Sequence, residues 1–261
     1  MNKLLKTPIT YWGGKQTLVP ELLPLIPTHN LYCEPFAGGA ALFWSKPASN
    51  VEVVNDINGE IGNFYTQIRD GFVELNHHVQ NSLHSREAYG DALHVYSRPS
   101  MFSAVKRAWA FWVLTNQGWC GKIGSWGYGI AENRSECKNL FKKSQFDAVL
   151  SERLQKVQIE CNDALKVISS RDRDDSFFYV DPPYFNSNMG HYAGYTEGDY
   201  KNLLDLLSQL KGKFLMSSYP SDILQTYVTK NGWRMKSFDM ALSASKGNKR
   251  KTEVLVANFE I

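Results

Sequence analysis

The chain has 261 residues, 43% of them hydrophobic and 21% charged, a composition ordinary for a soluble globular protein and long enough for one good-sized domain plus a smaller one. No stretch approaches the roughly 20 apolar residues needed to span a bilayer, and the basic start Met1 to Pro8 lacks the apolar core of a secretory signal, so a cytoplasmic protein without a membrane role is expected. The formal net charge of +3 names no partner, yet residues 101–156 alone carry nine Lys or Arg against four Asp or Glu, a local +5 that exceeds the charge of the whole chain.

Near the N-terminus, Tyr11-Trp12-Gly13-Gly14-Lys15 joins two aromatics, two permissive glycines and a cation, the makings of a lid over a small ligand, although taken alone the segment reads first as an ordinary terminal turn with a solvated lysine. It is not a P-loop, because the earlier glycine is missing and no strand precedes it. Leu31 to Glu34 then reads as a short buried strand, Pro35 to Ala40 as a turn, Ala41 to Ser45 as helix, and Val51 to Val54 as a second strand ending at Asn55-Asp56. This order predicts a βαβ unit with a parallel sheet. Gly38 and Gly39 let the backbone approach a ligand, and Asp56 can accept from ribose hydroxyls; a tight turn followed by a helix-capping Asp explains the same residues equally well.

From residue 63 to 156 the pattern changes to helices and loops rich in aromatic, amide and basic side chains, which predicts an inserted subdomain interrupting a catalytic domain made of 1–62 and 157–261. Strand rhythm resumes at Val157 to Cys161, Phe177 to Val180, Lys213 to Ser217, Trp233 to Phe238 and Glu253 to Phe259. Leucines at helical spacing from Tyr200 to Leu210 predict a crossover helix. The last two strands, joined by residues 239–252, can form an antiparallel hairpin at the sheet edge, a feature of methyltransferase-like rather than dehydrogenase-like sheets. The four scattered cysteines have neither zinc nor disulfide spacing and read as reduced thiols, mostly in apolar settings. The six histidines form no ligand-like cluster, and no metal is expected.

The sharpest motif is Asp181-Pro182-Pro183-Tyr184, directly after the apolar run Phe177 to Val180. In an open α/β sheet ligands bind beyond the carboxyl ends of the strands. Two prolines hold the chain rigid there, so the Asp181 carboxylate and the Pro182 carbonyl can both accept from an exocyclic amine while Tyr184 offers a stacking face. Such an amine is a poor nucleophile because its lone pair is delocalised into the base. Two acceptors favour the pyramidal form that attacks, and the base must leave the duplex to reach them.

These motifs together resemble the Dam-like, D12-class family of adenine-N6 DNA methyltransferases, over nearly the whole chain and in the family's order: Tyr11 to Lys15, Glu34 to Gly39, Asn55-Asp56, an inserted target-recognition region, and Asp181 to Tyr184. The resemblance implies a Rossmann-like fold binding S-adenosylmethionine, with Tyr11, Lys15, Asp56 and Asp181 at the cofactor and Phe36, Gly38 and Gly39 near its methionine moiety. Asp163, after another strand, would face the cofactor's adenine, although a helix N-cap explains an Asp there too. Gly38-Gly39-Ala40 departs from the family's commoner Gly-x-Gly, so the local backbone is expected to differ.

For double-stranded DNA, the expected partner, Asn116, Gln117, Trp119 and Lys122 are candidates to read base edges or wedge into the stack. Trp109 and Trp112 read as core. Lys138, Lys142 and Lys143, and the hairpin-tip group Lys246, Lys249, Arg250 and Lys251, are candidates for phosphate contacts. No obligatory protein partner is evident. The expected reaction is direct methyl transfer to a flipped-out adenine N6, leaving S-adenosylhomocysteine. Cytosine N4, a similar amine, is the alternative target, and a DNA-binding relative without catalysis is the alternative class.

Overall fold

The computed structural model describes residues 5–11, 13–129, 134–185, 194–241 and 250–261, with backbone alone at 134–137, 239–241, 250 and 251. In chain order the elements are α1 (Val19–Leu22), β1 (Leu31–Glu34), α2 (Ala41–Ser45), β2 (Val51–Asn55), α3 (Gly59–Asp70), α4 (Phe72–Gln80), α5 (Arg86–Ser97), α6 (Ala104–Gln117), α7 (Arg134–Ser144), α8 (Ala148–Leu154), β3 (Val157–Glu160), α9 (Ala164–Arg171), β4 (Ser176–Val180), α10 (Glu197–Leu207), β5 (Lys213–Ser218), α11 (Asp222–Asn231), β6 (Arg234–Ala241) and β7 (Arg250–Ala257). The sheet has seven strands in the order β3-β2-β1-β4-β5-β7-β6. β1 pairs in parallel with β2 and β4, and β4 with β5; β7 is antiparallel to both β5 and β6. The predicted α/β sheet with a C-terminal antiparallel hairpin is therefore present. The hairpin's second strand inserts between β5 and β6, which leaves β6 at the edge.

The chain divides into two compact units. One comprises Met1–Pro24, Gly38–Ala48 and Asn58–Cys161; the other comprises Leu25–Ala37, Ser49–Ile57 and Asn162–Ile261.

In the second unit, every residue of β1 and β4 is buried. Central parallel strands covered on both faces need such uninterrupted apolar runs, which is why Phe177 to Val180 stands out in the sequence. Phe178 and Val180 of β4, Phe214 and Met216 of β5, and Val254 and Val256 of β7 share one core with Leu203, Leu204 and Leu207 of α10 and Val167 and Ile168 of α9. α10 starts at Glu197 instead of the predicted Tyr200 because Thr196 and Asp199 form a reciprocal capping box that fixes the helix start upstream of its first leucine.

The first unit is largely helical and packs on aromatic side chains. α6 is buried from Ala108 to Gln117, so Trp109 and Trp112 belong to the core, as expected. Phe64 of α3, Phe111 of α6 and Phe146 meet at tilted ring angles, with centroids 5.8 Å apart for Phe64 and Phe111 and 6.4 Å for Phe64 and Phe146. Ser103 caps α6 and Ser85 caps α5, each accepting a backbone N–H through its hydroxyl. Cys33 is buried, whereas Cys120 is half-buried and Cys161 exposed, so the three described cysteines are not mostly in apolar settings. Among the described residues, no helix is long and apolar enough to cross a membrane.

Candidate active site

In the second unit, Asp181-Pro182-Pro183-Tyr184 follows the buried end of β4 with Pro182 buried and the other three half-buried. The Tyr184 hydroxyl donates to Asp181 Oδ1 at 3.2 Å, and the Tyr184 ring packs on Tyr219, just past β5, with centroids 4.3 Å apart. Burial, with the Asp181 and Glu253 carboxylates nearby, holds the Tyr184 phenol well above its ordinary pKa of 10.0. Tyr179, whose hydroxyl shares a 2.9 Å hydrogen bond with Ser217, is held up for the same leading reasons, burial and then Asp181. The tetrapeptide's carboxylate therefore faces neutral phenols throughout the physiological range. An acceptor, a ring face and a rigid backbone carbonyl lie within four residues, the set needed to orient an exocyclic amine.

The same unit carries Phe36 after β1 and Asp56 after β2, both half-buried. Between them lies a feature that the sequence did not announce. Asn55, 1% exposed, donates from Nδ2 to the Pro35 carbonyl at 2.8 Å and to the Asn162 carbonyl at 3.0 Å, while its Oδ1 accepts the Asn162 N–H at 2.9 Å. Its own carbonyl accepts the Ala37 N–H at 2.8 Å. One buried amide thus pins the loops that carry Phe36, Asp56 and Asp163. Asp163 itself is exposed and accepts the Lys166 N–H at 3.0 Å, so its carboxylate is the N-cap of α9.

In the first unit, Gly14 N–H closes a turn on the Tyr11 carbonyl at 3.0 Å, and Lys15, 6% exposed, folds its ammonium back onto the Gly13 carbonyl at 3.0 Å. Trp12 lies outside the described residues. Gly38 adopts φ +47°, and a Cβ there would stand 2.9 Å from Tyr11 Cδ1. Glycine is required at this position because the Tyr11 ring lies against it, and Gly39 sits under the same side chain. The Tyr65 hydroxyl donates to the Gly38 carbonyl at 2.8 Å. Ala40, where the family more often has glycine, is also left-handed, at φ 47° and ψ 43°. A Cβ in that region of the backbone costs roughly 1–2 kcal/mol.

The residues singled out for DNA divide by location. Trp119, 47% exposed, and the exposed Lys122 lie on a loop folded back on itself, with Trp119 N–H donating to the Ser125 carbonyl at 2.6 Å and Gly127 N–H to the Gln117 carbonyl at 2.8 Å. Tyr89, which sequence reading missed, receives the Gly124 N–H at 3.0 Å and the Ser125 N–H at 3.2 Å on its hydroxyl and so fixes the loop from α5. The loop also carries a stacked pair, Trp126 and Tyr128, with the Arg86 guanidinium 4.5 Å over the indole. Asn116 and Gln117, expected to read bases, are instead buried within the unit. Gln117 donates to the Leu83 carbonyl at 2.8 Å, and Asn116 bonds to Pro8 and Thr10.

On α7, Lys138 is exposed, while Lys142 and Lys143 are half-buried, with Lys143 donating to the Gln80 carbonyl at 2.8 Å. Burial, helped by Lys138 and Lys6, lowers the Lys142 pKa to about 8. The hairpin-tip residues Lys246 and Lys249 lie outside the described residues, and Arg250 and Lys251 open β7, where only their backbone is described.

Comparison with known proteins adds the family. Residues 11–237 match the model of the D12 class N6 adenine-specific DNA methyltransferases. The chain is similar to the Type II methyltransferase M1.LlaDCHI of Lactococcus lactis subsp. cremoris, 30% identical over 282 residues that cover 99% of this chain and 97% of the relative. It is also similar to the DNA N-6-adenine-methyltransferase of Escherichia phage P1, 23% identical over 258 residues covering 91% of this chain but 33% of that longer protein. With the tetrapeptide, the glycine turn and the strand order in place, the chain belongs to the D12 class of N6 adenine-specific DNA methyltransferases.

Proposed function

We propose that this enzyme methylates N6 of an adenine flipped out of double-stranded DNA, with Asp181, Pro182 and Tyr184 as its catalytic residues. The observation that carries this reading is the rigid set after β4, in which Asp181 is hydrogen bonded to Tyr184 and the Tyr184 ring rests on Tyr219. The Asp181 carboxylate and the Pro182 carbonyl accept hydrogen bonds from the two amine hydrogens, which localises the lone pair on nitrogen, while the Tyr184 ring holds the base in plane. As the methyl group arrives, N6 gives up one of those protons, accepted by the Asp181 carboxylate on its way to solvent.

Bound S-adenosylmethionine supplies a methyl group on a positively charged sulfur and leaves as S-adenosylhomocysteine. The residues fit such a nucleoside sulfonium: Asp56 offers a half-buried carboxylate for ribose hydroxyls, and Phe36, Gly38 and Gly39 line the turn proposed for the methionine moiety. Tyr11, Lys15 and Asp181 complete the proposed contacts. Asp163 is proposed for the adenine ring of the cofactor, acting from its place at the start of α9. The proposed DNA contacts are Trp119 and Lys122 on the folded loop, with Lys138, Lys142, Lys143 and the hairpin-tip cations on phosphates.

The test is mass spectrometry of nucleosides from double-stranded DNA incubated with the enzyme and S-adenosylmethionine. N6-methyladenine is expected, and N4-methylcytosine in its place overturns the reading. Asp181→Ala is expected to abolish turnover while far-UV circular dichroism and the melting temperature stay near wild type; near-normal rates in that variant refute its role.

A further inference from the structure

We propose that Asn116 is a positioning residue for cofactor capture, acting through the N-terminal strap that carries Tyr11. The inference rests on the reading of Tyr11 as a cofactor contact. Residues 5–11 form neither helix nor strand, so the strap's place is set by the groups that hold it. Asn116, 5% exposed at the last turn of α6, supplies three of the bonds. Its Oδ1 accepts the Thr10 N–H at 3.0 Å and the Thr10 hydroxyl at 3.1 Å, and its Nδ2 donates to the Pro8 carbonyl at 3.1 Å.

Both polar atoms of the amide are therefore engaged with two of the three residues that lead into Tyr11. A second contact comes from the loop after α6. Gly121, at φ +78°, presses so closely on the strap that a Cβ there would lie 2.5 Å from the Thr10 carbonyl oxygen. From the same helix, Phe111 meets the Tyr11 ring with centroids 6.5 Å apart. On its other side the Tyr11 ring lies against Gly38, whose carbonyl is held by Tyr65.

The consequence is mechanical. α6 and the loop that displays Trp119 and Lys122 hold the same strap that places Tyr11 on the glycine turn. A displacement of Thr10 moves Tyr11 directly, since they are neighbours in a segment with no repeating backbone bonds of its own. Removing the Asn116 amide leaves the Thr10 N–H and the Pro8 carbonyl without these partners and releases the strap. None of the Asn116 bonds includes a residue of the tetrapeptide, which belongs to the other unit. The defect should therefore appear in cofactor affinity and spare the chemical step.

The test uses the full-length enzyme, with S-adenosylmethionine binding measured by calorimetry and steady-state rates at saturating DNA. Wild type is expected to bind the cofactor and Tyr11→Ala to lose affinity; if wild type does not bind, the cofactor reading falls, and this inference with it. Given that baseline, Asn116→Ala is expected to raise both Kd and KM for S-adenosylmethionine about tenfold, with kcat at saturation changing less than about threefold. Unchanged KM, or a loss confined to kcat, overturns the positioning role while leaving the cofactor reading intact.

Asn116→Asp and Gly121→Ala cover the case in which Asn116→Ala fails to fold. The first keeps the acceptor for Thr10 but loses the donor to Pro8, and the second pushes the loop off the Thr10 carbonyl. Each is expected to raise KM for S-adenosylmethionine with circular dichroism unchanged. If both folded variants keep the wild-type KM, the proposal is wrong.

Discussion

At the scale of single residues, the glycine turn shows how a short motif combines conformation with packing. Gly38 is left-handed and lies under the Tyr11 ring, so a side chain there meets two separate penalties. Gly38→Ala is expected to cost roughly 1–3 kcal/mol, part from the backbone and part from the contact with Tyr11. A urea-denaturation cycle separates them: in a Tyr11→Ala background the cost should shrink to the backbone part alone, whereas an undiminished cost would mean that the ring is not what forbids the methyl group. Asn55 teaches the converse. Its neighbour Asp56 is legible in the sequence because an acidic residue ending a second strand is a known ribose partner, but nothing in the pattern marks Asn55 as the amide that ties three loops together. Its role comes from loops distant in sequence converging on one side chain, and no local spacing records that. Asn116 is hard to read for a related reason: an amide beside a glycine-rich loop resembles a base reader in sequence, while the partners the structure gives it, Pro8 and Thr10, lie more than a hundred residues upstream.

At the scale of elements, α7 presents cations under partial desolvation. The Lys142 ammonium, with a pKa near 8 against an ordinary 10.5, is disfavoured by burial and by the neighbouring Lys138 and Lys6. The unfolded chain binds more protons than the folded one between those two values, so this group makes folding more favourable as pH rises from about 8 to 10.5. A phosphate placed beside it has the opposite effect on its charge, because the anion favours the ammonium and raises the pKa. DNA binding at pH 8.5 should therefore take up roughly half to three quarters of a proton, read as a dependence of calorimetric enthalpy on the ionisation enthalpy of the buffer. Lys142→Met should remove that uptake; an unaltered uptake in the variant would show that Lys142 does not meet phosphate. The strands of the sheet were the most legible elements, since β1, β4 and β5 are buried runs bounded by turn residues. Element ends were less so: α10 begins at a capping box upstream of its leucines, and β7 reaches back to Arg250 because pairing with β6 continues past its buried part.

At the scale of the molecule, the charge is unevenly placed. A net charge of +3 over the whole sequence coexists with +5 on residues 101–156, so the cations are concentrated in the part of the chain that carries Lys122 and α7. Affinity for DNA should fall linearly on a logarithmic salt scale, and replacing the exposed Lys122 and Lys138 together by Gln should lower the slope by about one to two. A filter-binding titration from low to high salt measures it, and an unchanged slope would place both cations away from phosphate. The two units share the chain in alternating pieces, which is why the sequence reading of one insertion within one domain recovers the strands but gives no account of the strap. That strap also bears on how such enzymes exchange parts. A segment covering residues 104–127, moved from one relative to another as a cassette, arrives without the Pro8 and Thr10 that its Asn116 and Gly121 were shaped to hold. Chimeras that swap only the internal segment should lose cofactor affinity, and those that carry residues 7–11 along with it should keep it.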